Sequence, residues 1–139
     1  MAGSLNTLVG NTNLVKGFVN NVNGTSNNVA GSLNYLQGNT NSVAGNKNGI
    51  IGNFNQVQGV QNALAGSANI ISGSVNTVAG NLNNVHGNFN AVAGSANYLQ
   101  GNANSVAGSA NGVIGNQNTV HGDLNVVKGI KNQVAGYQN

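Results

Sequence analysis

Aliphatic and polar positions recur along the whole chain with a period of seven. Gly stands at every seventh residue from Gly3 to Gly136, at 20 of 20 such positions. Asn follows three residues after each, from Asn6 to Asn139, again 20 of 20. Five residues after Gly comes an aliphatic in all 19 complete units: 13 Val, 4 Leu and 2 Ile. The unit is G-x-x-N-x-[VLI]-x. Its Asn and aliphatic are two residues apart, the spacing that puts both side chains on one face of a strand. The pattern predicts a five-residue strand, x-N-x-[VLI]-x, and a corner at Gly and the residue after it. Gly supplies the positive φ that a tight corner needs. The residue after Gly is Ser, Asn, Thr or Asp in 16 of 20 units, the exceptions being Phe18, Val60, Ile130 and Tyr137.

A period of seven also describes coiled coils, but the residues oppose that assignment. One Gly per heptad costs a helix about 1 kcal/mol each relative to Ala. The Glu and Lys pairs of interhelical positions are absent. A short strand cannot bury its inward face alone, whereas stacked units bury it continuously. The predicted fold is an all-β solenoid, a β-roll of about two heptads (14 residues) per coil. Two parallel sheets face each other over inward Asn and Val/Leu/Ile ladders, and a single solenoid domain covers residues 1–139. Twenty units make about ten coils, roughly 48 Å long at ~4.8 Å per strand.

A longer similarity bears on the coil. Residues 31–44 and 94–107 differ at two of fourteen positions, an offset of nine heptads. Nine is odd, so two-heptad coils place the copies on opposite faces, while three-heptad coils return them in register. Against the triangular coil, Phe18, Val60 and Ile130 share one corner only if coils hold two heptads.

The third, fifth and seventh residues of each unit point outward. With two heptads per coil, one face carries Thr7, Asn21, Tyr35, Gly49, Ala63, Thr77, Ala91, Ser105, Thr119 and Gln133 centrally. Its seventh-position column includes Ala65, Ala79, Ala93 and Ala107 in succession. Between residues 63 and 119 this face is expected to be small, weakly polar and flat. The opposite face carries Leu14, Ile70, Tyr98 and Val126, with Leu82, Leu124, Lys16, His86 and Lys128 beside them.

Composition narrows the chemistry. The chain of 139 residues holds 22 Gly and 32 Asn, no Cys, no Pro, no Trp, and 4% charged residues. Thiolate chemistry and disulfides are excluded. Four Lys are too few to neutralise the phosphates of a nucleic-acid site. No apolar run reaches 18 residues, so no spanning helix is expected, and Met1-Ala2-Gly3-Ser4-Leu5-Asn6 has neither the basic start nor the apolar block of a secretory signal. Asp123 is the lone acid, which rules out paired-carboxylate catalysis. His86 and His121 lie on different units without ligand spacing, and no Asp recurs at the turns as in calcium-binding rolls. Chance G-x-G strings lack the strand–helix context of a phosphate loop. No enzyme activity, metal, cofactor, membrane or small-molecule substrate is expected. Asn23-Gly24-Thr25 is the one glycosylation sequon.

Written from its other end, x-x-N-x-V-x-G, the unit resembles the repeat of the ryegrass (Lolium) antifreeze and ice-recrystallisation-inhibition proteins, from Gly3 to Asn139. The resemblance implies a β-roll that binds ice through one flat sheet face, and an extracellular or cell-surface location. The outward positions differ from that family's Ser, Thr, Asn and charged residues, being often Ala, Leu, Phe, Tyr or Ile, and no unbroken Thr column is present. The candidate ice-binding face is Ala63, Ala65, Thr77, Ala79, Ala91, Ala93, Ser105, Ala107 and Thr119. A second function class stands beside it. Low charge, outward apolar residues and a repeat without caps suit a self-assembling filament, built by end-to-end and lateral stacking, in which the same face is a packing surface and the partner is the protein itself.

Overall fold

The computed structural model describes residues 2–139, and all regular structure within them is β. One sheet has ten strands: β1 (Thr7–Val9), β3 (Asn21–Asn23), β5 (Tyr35–Gln37), β7 (Gly49–Ile51), β9 (Ala63–Ala65), β11 (Thr77–Ala79), β13 (Ala91–Ala93), β15 (Ser105–Ala107), β17 (Thr119–His121) and β19 (Gln133–Ala135). The other has nine: β2 (Leu14–Lys16), β4 (Asn28–Ala30), β6 (Ser42–Asn46), β8 (Gln56–Val60), β10 (Ile70–Ser72), β12 (Asn84–His86), β14 (Tyr98–Gln100), β16 (Gly112–Asn116) and β18 (Val126–Ile130). Each strand pairs in parallel with the strand two ahead, in strict 14-residue register, as in Thr77↔Ala91 and Ile70↔Asn84. The coil is therefore two heptads, and the triangular alternative is excluded.

The strands are shorter than the sequence pattern suggests. Most span only the fifth to seventh residues of the unit, with Asn just before them in the corner. The four longer ones, β6, β8, β16 and β18, extend at the other end, through Gly into the residue after it.

The second residue of each strand points between the sheets. Seventeen aliphatics from Val15 to Val127 are at most 5% exposed, and Leu8 and Val134 pack against them at the two ends. The inward Asn side chains fill the corners, and from Asn20 to Asn125 their hydrogen bonding is complete. Asn90 Nδ2 donates to Asn76 Oδ1 at 3.1 Å and to the Gly101 carbonyl at 2.8 Å. Its Oδ1 accepts the Asn104 backbone N–H at 3.0 Å and Asn104 Nδ2 at 3.1 Å. Both donors and both lone pairs are used, so a buried amide that would otherwise cost several kcal/mol becomes an axial tie between coils.

Three further corner features secure the coil. A Cβ on Gly94 would collide with the carbonyl oxygen of Gly108 in the next coil, and its φ is +135°. Gly is thus required for close approach as well as for conformation. The third residue of every unit is also left-handed, with φ between 56° and 61°. It includes Thr12, Val19 and Val75, residue types for which that region is strained. From Val19 onward each such residue is held by its neighbouring coil, as where the Val75 N–H donates to the Val60 carbonyl at 2.9 Å. At the second position, Asn side chains make an outer ladder. The Asn88 N–H donates to Asn102 Oδ1, and the Asn102 N–H to Asn116 Oδ1, each at 2.8 Å. This explains the Asn and Asp that follow Gly, since their side-chain oxygen caps the otherwise free N–H one coil earlier, as Asp123 Oδ1 does for the Ser109 N–H.

Candidate functional site

The two sheets present unlike surfaces. On the ten-stranded sheet the central residues Ala63, Thr77, Ala91, Ser105 and Thr119 lie in one in-register column. Beside it runs a second column, Ala65, Ala79, Ala93 and Ala107. All nine residues share one face. Seven are exposed, while Ala107 and Thr119 are half-buried next to His121, which pairs with Ala107.

Between the columns lies a shallow furrow. Its first part, about 350 Å³, is lined by Tyr35, Gly49, Ile51, Ala63, Leu64, Ala65, Thr77, Val78 and Ala79. Its second part, about 220 Å³, continues past Thr77 and Ala79 to Ala91, Ala93, Ser105 and Ala107. The furrow therefore reaches beyond the stretch of small residues at 63–119, toward the N-terminus as far as Gly49. At Gly49 the backbone is bare, and Tyr35 and Ile51 stand at the furrow's end. The signal for this was in the chain: Gly49 is one of only two glycines off the seven-residue grid, the other being Gly112.

Parallel pairing places equivalent groups one strand spacing apart, about 4.8 Å. Methyl and hydroxyl groups thus form a lattice fixed by the backbone rather than by flexible side chains. No Lys or Asp stands in the strands of this sheet. Lys16 and Lys128 lie on the opposite sheet, Lys47 and Lys131 at one corner and Asp123 at the other. The surface offers weak hydrogen-bonding groups in a methyl-rich field.

The nine-stranded sheet is uneven. Leu14, Ile70, Tyr98 and Val126 project from its central column at 41–67% exposure. The rings of His86 and Tyr98 meet at 6.4 Å, tilted by 59°. Leu82 and Leu124 lie at the corner beside it, each in the left-handed conformation. Among the described residues no group of three His, Cys, Asp or Glu comes together. His86 and His121 stand on opposite sheets.

No curated protein matches the chain. The sequence model of a family described as the grass antifreeze beta roll matches it twice, over residues 1–73 and 58–139. The two matches overlap in the middle, as expected where every unit carries the same inward residues, and between them they leave no part of the repeat unmatched. The matched pattern is the one the structure buries, Asn at the corners and an aliphatic in each strand, and the chain belongs to the grass antifreeze β-roll family.

Proposed function

We propose that this protein binds ice through the small-residue face of its ten-stranded sheet, with Ala63, Ala65, Thr77, Ala79, Ala91, Ala93, Ser105, Ala107 and Thr119 as the contact surface. The observation that carries this reading is the pair of in-register columns flanking a continuous furrow. Ice is a lattice, so a receptor for it needs repeating groups on a rigid plane. Here the plane is a parallel sheet whose strand spacing is set by hydrogen bonds, with the hydroxyls of Thr77, Ser105 and Thr119 set among alanine methyls. Membership of an antifreeze family supports ice as the ligand. The opposite sheet, with Leu14, Ile70, Tyr98 and Val126 projecting, offers no comparable plane.

The test is the double substitution Thr77→Tyr with Ala91→Tyr. Tyr35 already occupies the same column and is 48% exposed, so the sheet accepts this side chain. The unfolding midpoint should shift by no more than a few degrees, as for ordinary surface changes. Ice-crystal shaping and inhibition of recrystallisation should be lost. Tyrosines at Asn28 and Ser42, on the other sheet, should leave both intact. Retained shaping by the first variant sinks the face assignment. Self-association through the same face is the competing reading, and sedimentation at the assay concentration separates the two. A monomer that shapes ice supports ice binding, whereas an assembly dispersed by the double substitution supports packing.

A further inference from the structure

Asn followed by Gly is the dipeptide most open to spontaneous deamidation. Gly has no side chain to hinder its backbone nitrogen from approaching the preceding side-chain amide carbon. The chain contains three such pairs: Asn23-Gly24, Asn48-Gly49 and Asn111-Gly112. The fold separates them sharply. Asn48 and Asn111 are inward ladder residues, each 1% exposed. Asn48 Nδ2 donates to Asn34 Oδ1 and the Gly59 carbonyl, while its Oδ1 accepts the N–H and Nδ2 of Asn62. Asn111 is tied in the same way to Asn97, Gly122 and Asn125. Asn23 is exposed at the end of β3, and its side-chain amide bonds to no described residue.

The attacking nitrogen does not distinguish the three. The Gly24, Gly49 and Gly112 N–H groups each donate to a backbone carbonyl at 2.9 Å, of Val9, Asn62 and Asn125 respectively. The contrast lies in the leaving amide. At Asn48 and Asn111 it must break free of four hydrogen bonds inside a packed corner. At Asn23 it is free to rotate into position and in contact with water.

We propose that Asn23 is a deamidation site of the folded protein and that the inward ladder protects Asn48 and Asn111 from the same reaction. The Gly24 nitrogen forms a bond to Asn23 Cγ, the Cγ–Nδ2 bond breaks, and ammonia leaves with the proton from the Gly24 N–H. Water then opens the five-membered imide at either carbonyl, giving Asp or isoaspartate at position 23. The net exchange is one water in and one ammonia out, with no other reactant. The product takes one unit from the formal charge of +3. It places a carboxylate in the same column as Gln37, Ile51 and Ala65, on the sheet that bears the furrow.

The experiment compares the native chain with the chain unfolded in guanidinium, both held at mildly alkaline pH. Peptide mapping by mass spectrometry with isoaspartate detection follows each of the three sites. In the unfolded chain all three should convert at similar rates. In the native chain Asn23 should convert at least about tenfold faster than Asn48 or Asn111, whose amides must first lose their hydrogen bonds. Native conversion at Asn48 or Asn111 as fast as at Asn23 overturns the proposal. So does an Asn23 that stays intact in the native chain while converting in the unfolded one, since β3 would then shield it as well as the ladder shields the others.

Discussion

Asn83 and Asn84 are neighbours in the chain with opposite surroundings. Asn83 is a ladder residue, donating to Asn69 Oδ1 and the Gly94 carbonyl and accepting twice from Asn97. Asn84 faces outward, and its Oδ1 is the one buried side-chain polar atom without a partner among the described residues. Removing Asn83 leaves the Gly94 carbonyl and two donors of Asn97 orphaned. At about 1–3 kcal/mol for each of these three buried unpaired groups, Asn83→Ala should cost about 3–9 kcal/mol. Removing Asn84 deletes a polar atom that already lacks its bond, so Asn84→Ala should be neutral or stabilising by up to about 1 kcal/mol. Thermal unfolding of the two variants checks this. The Asn83 variant should melt more than about 10 °C below the parent, and the Asn84 variant at or slightly above it. Equal midpoints would mean that the ladder is not what ties the coils together.

The elements are so short that each strand contributes one buried side chain. Leu99 is 0% exposed and sits between Val85 and Val113 in the same sheet. Leu99→Ala should cost about 2–5 kcal/mol, because strands on both sides are pinned in register and cannot close the cavity. A denaturant titration with unchanged slope and a lower midpoint would bear this out. This rigidity is also why so much of the interior was legible in the sequence. Every unit meets the same inward environment, so Asn and the aliphatic recur without exception. The strand ends were less legible, because corner hydrogen bonds rather than side-chain type decide where pairing stops. The left-handed third position left no trace. Lys47, Phe54 and Val75 adopt it with their N–H bonded to the previous coil, and Leu5 in the first coil adopts it without that bond, so side-chain type does not select it. The outer Asn ladder was visible only as a preference for small polar residues after Gly. For the candidate site, alternate heptads sufficed to gather its nine residues on one face. What they did not give was the furrow between the columns or its extension to Gly49, which depend on where side chains are missing rather than on which are present.

At the scale of the whole molecule, inward and outward information follow different periods. The interior repeats every seven residues, whereas a surface repeats every fourteen. An insertion or deletion of one heptad therefore leaves every ladder intact and exchanges the two faces beyond it. The chain already contains this arrangement. Residues 31–44 and 94–107 are nearly identical, yet Tyr35 lies on the ten-stranded sheet and Tyr98 on the nine-stranded one. The same rule gives a test of the proposed face that introduces no bulky group. Deleting residues 73–79 joins Ser72 to Gly80 and keeps an unbroken repeat. Ala63 and Ala65 then remain on the original sheet, while Ala91, Ser105 and Thr119 move to the other, beside Ile70. Deleting residues 73–86 removes a full coil and brings Ala91 next to Ala63 on the same sheet. Both variants should fold, with β-sheet circular dichroism and similar unfolding midpoints, because each retains the inward residues of every remaining unit. If ice is bound through the two columns, the seven-residue deletion should abolish crystal shaping, and the fourteen-residue deletion, although shorter, should retain it in weakened form. Equal activity in both would show that the order of small residues along one sheet is not what the ligand reads.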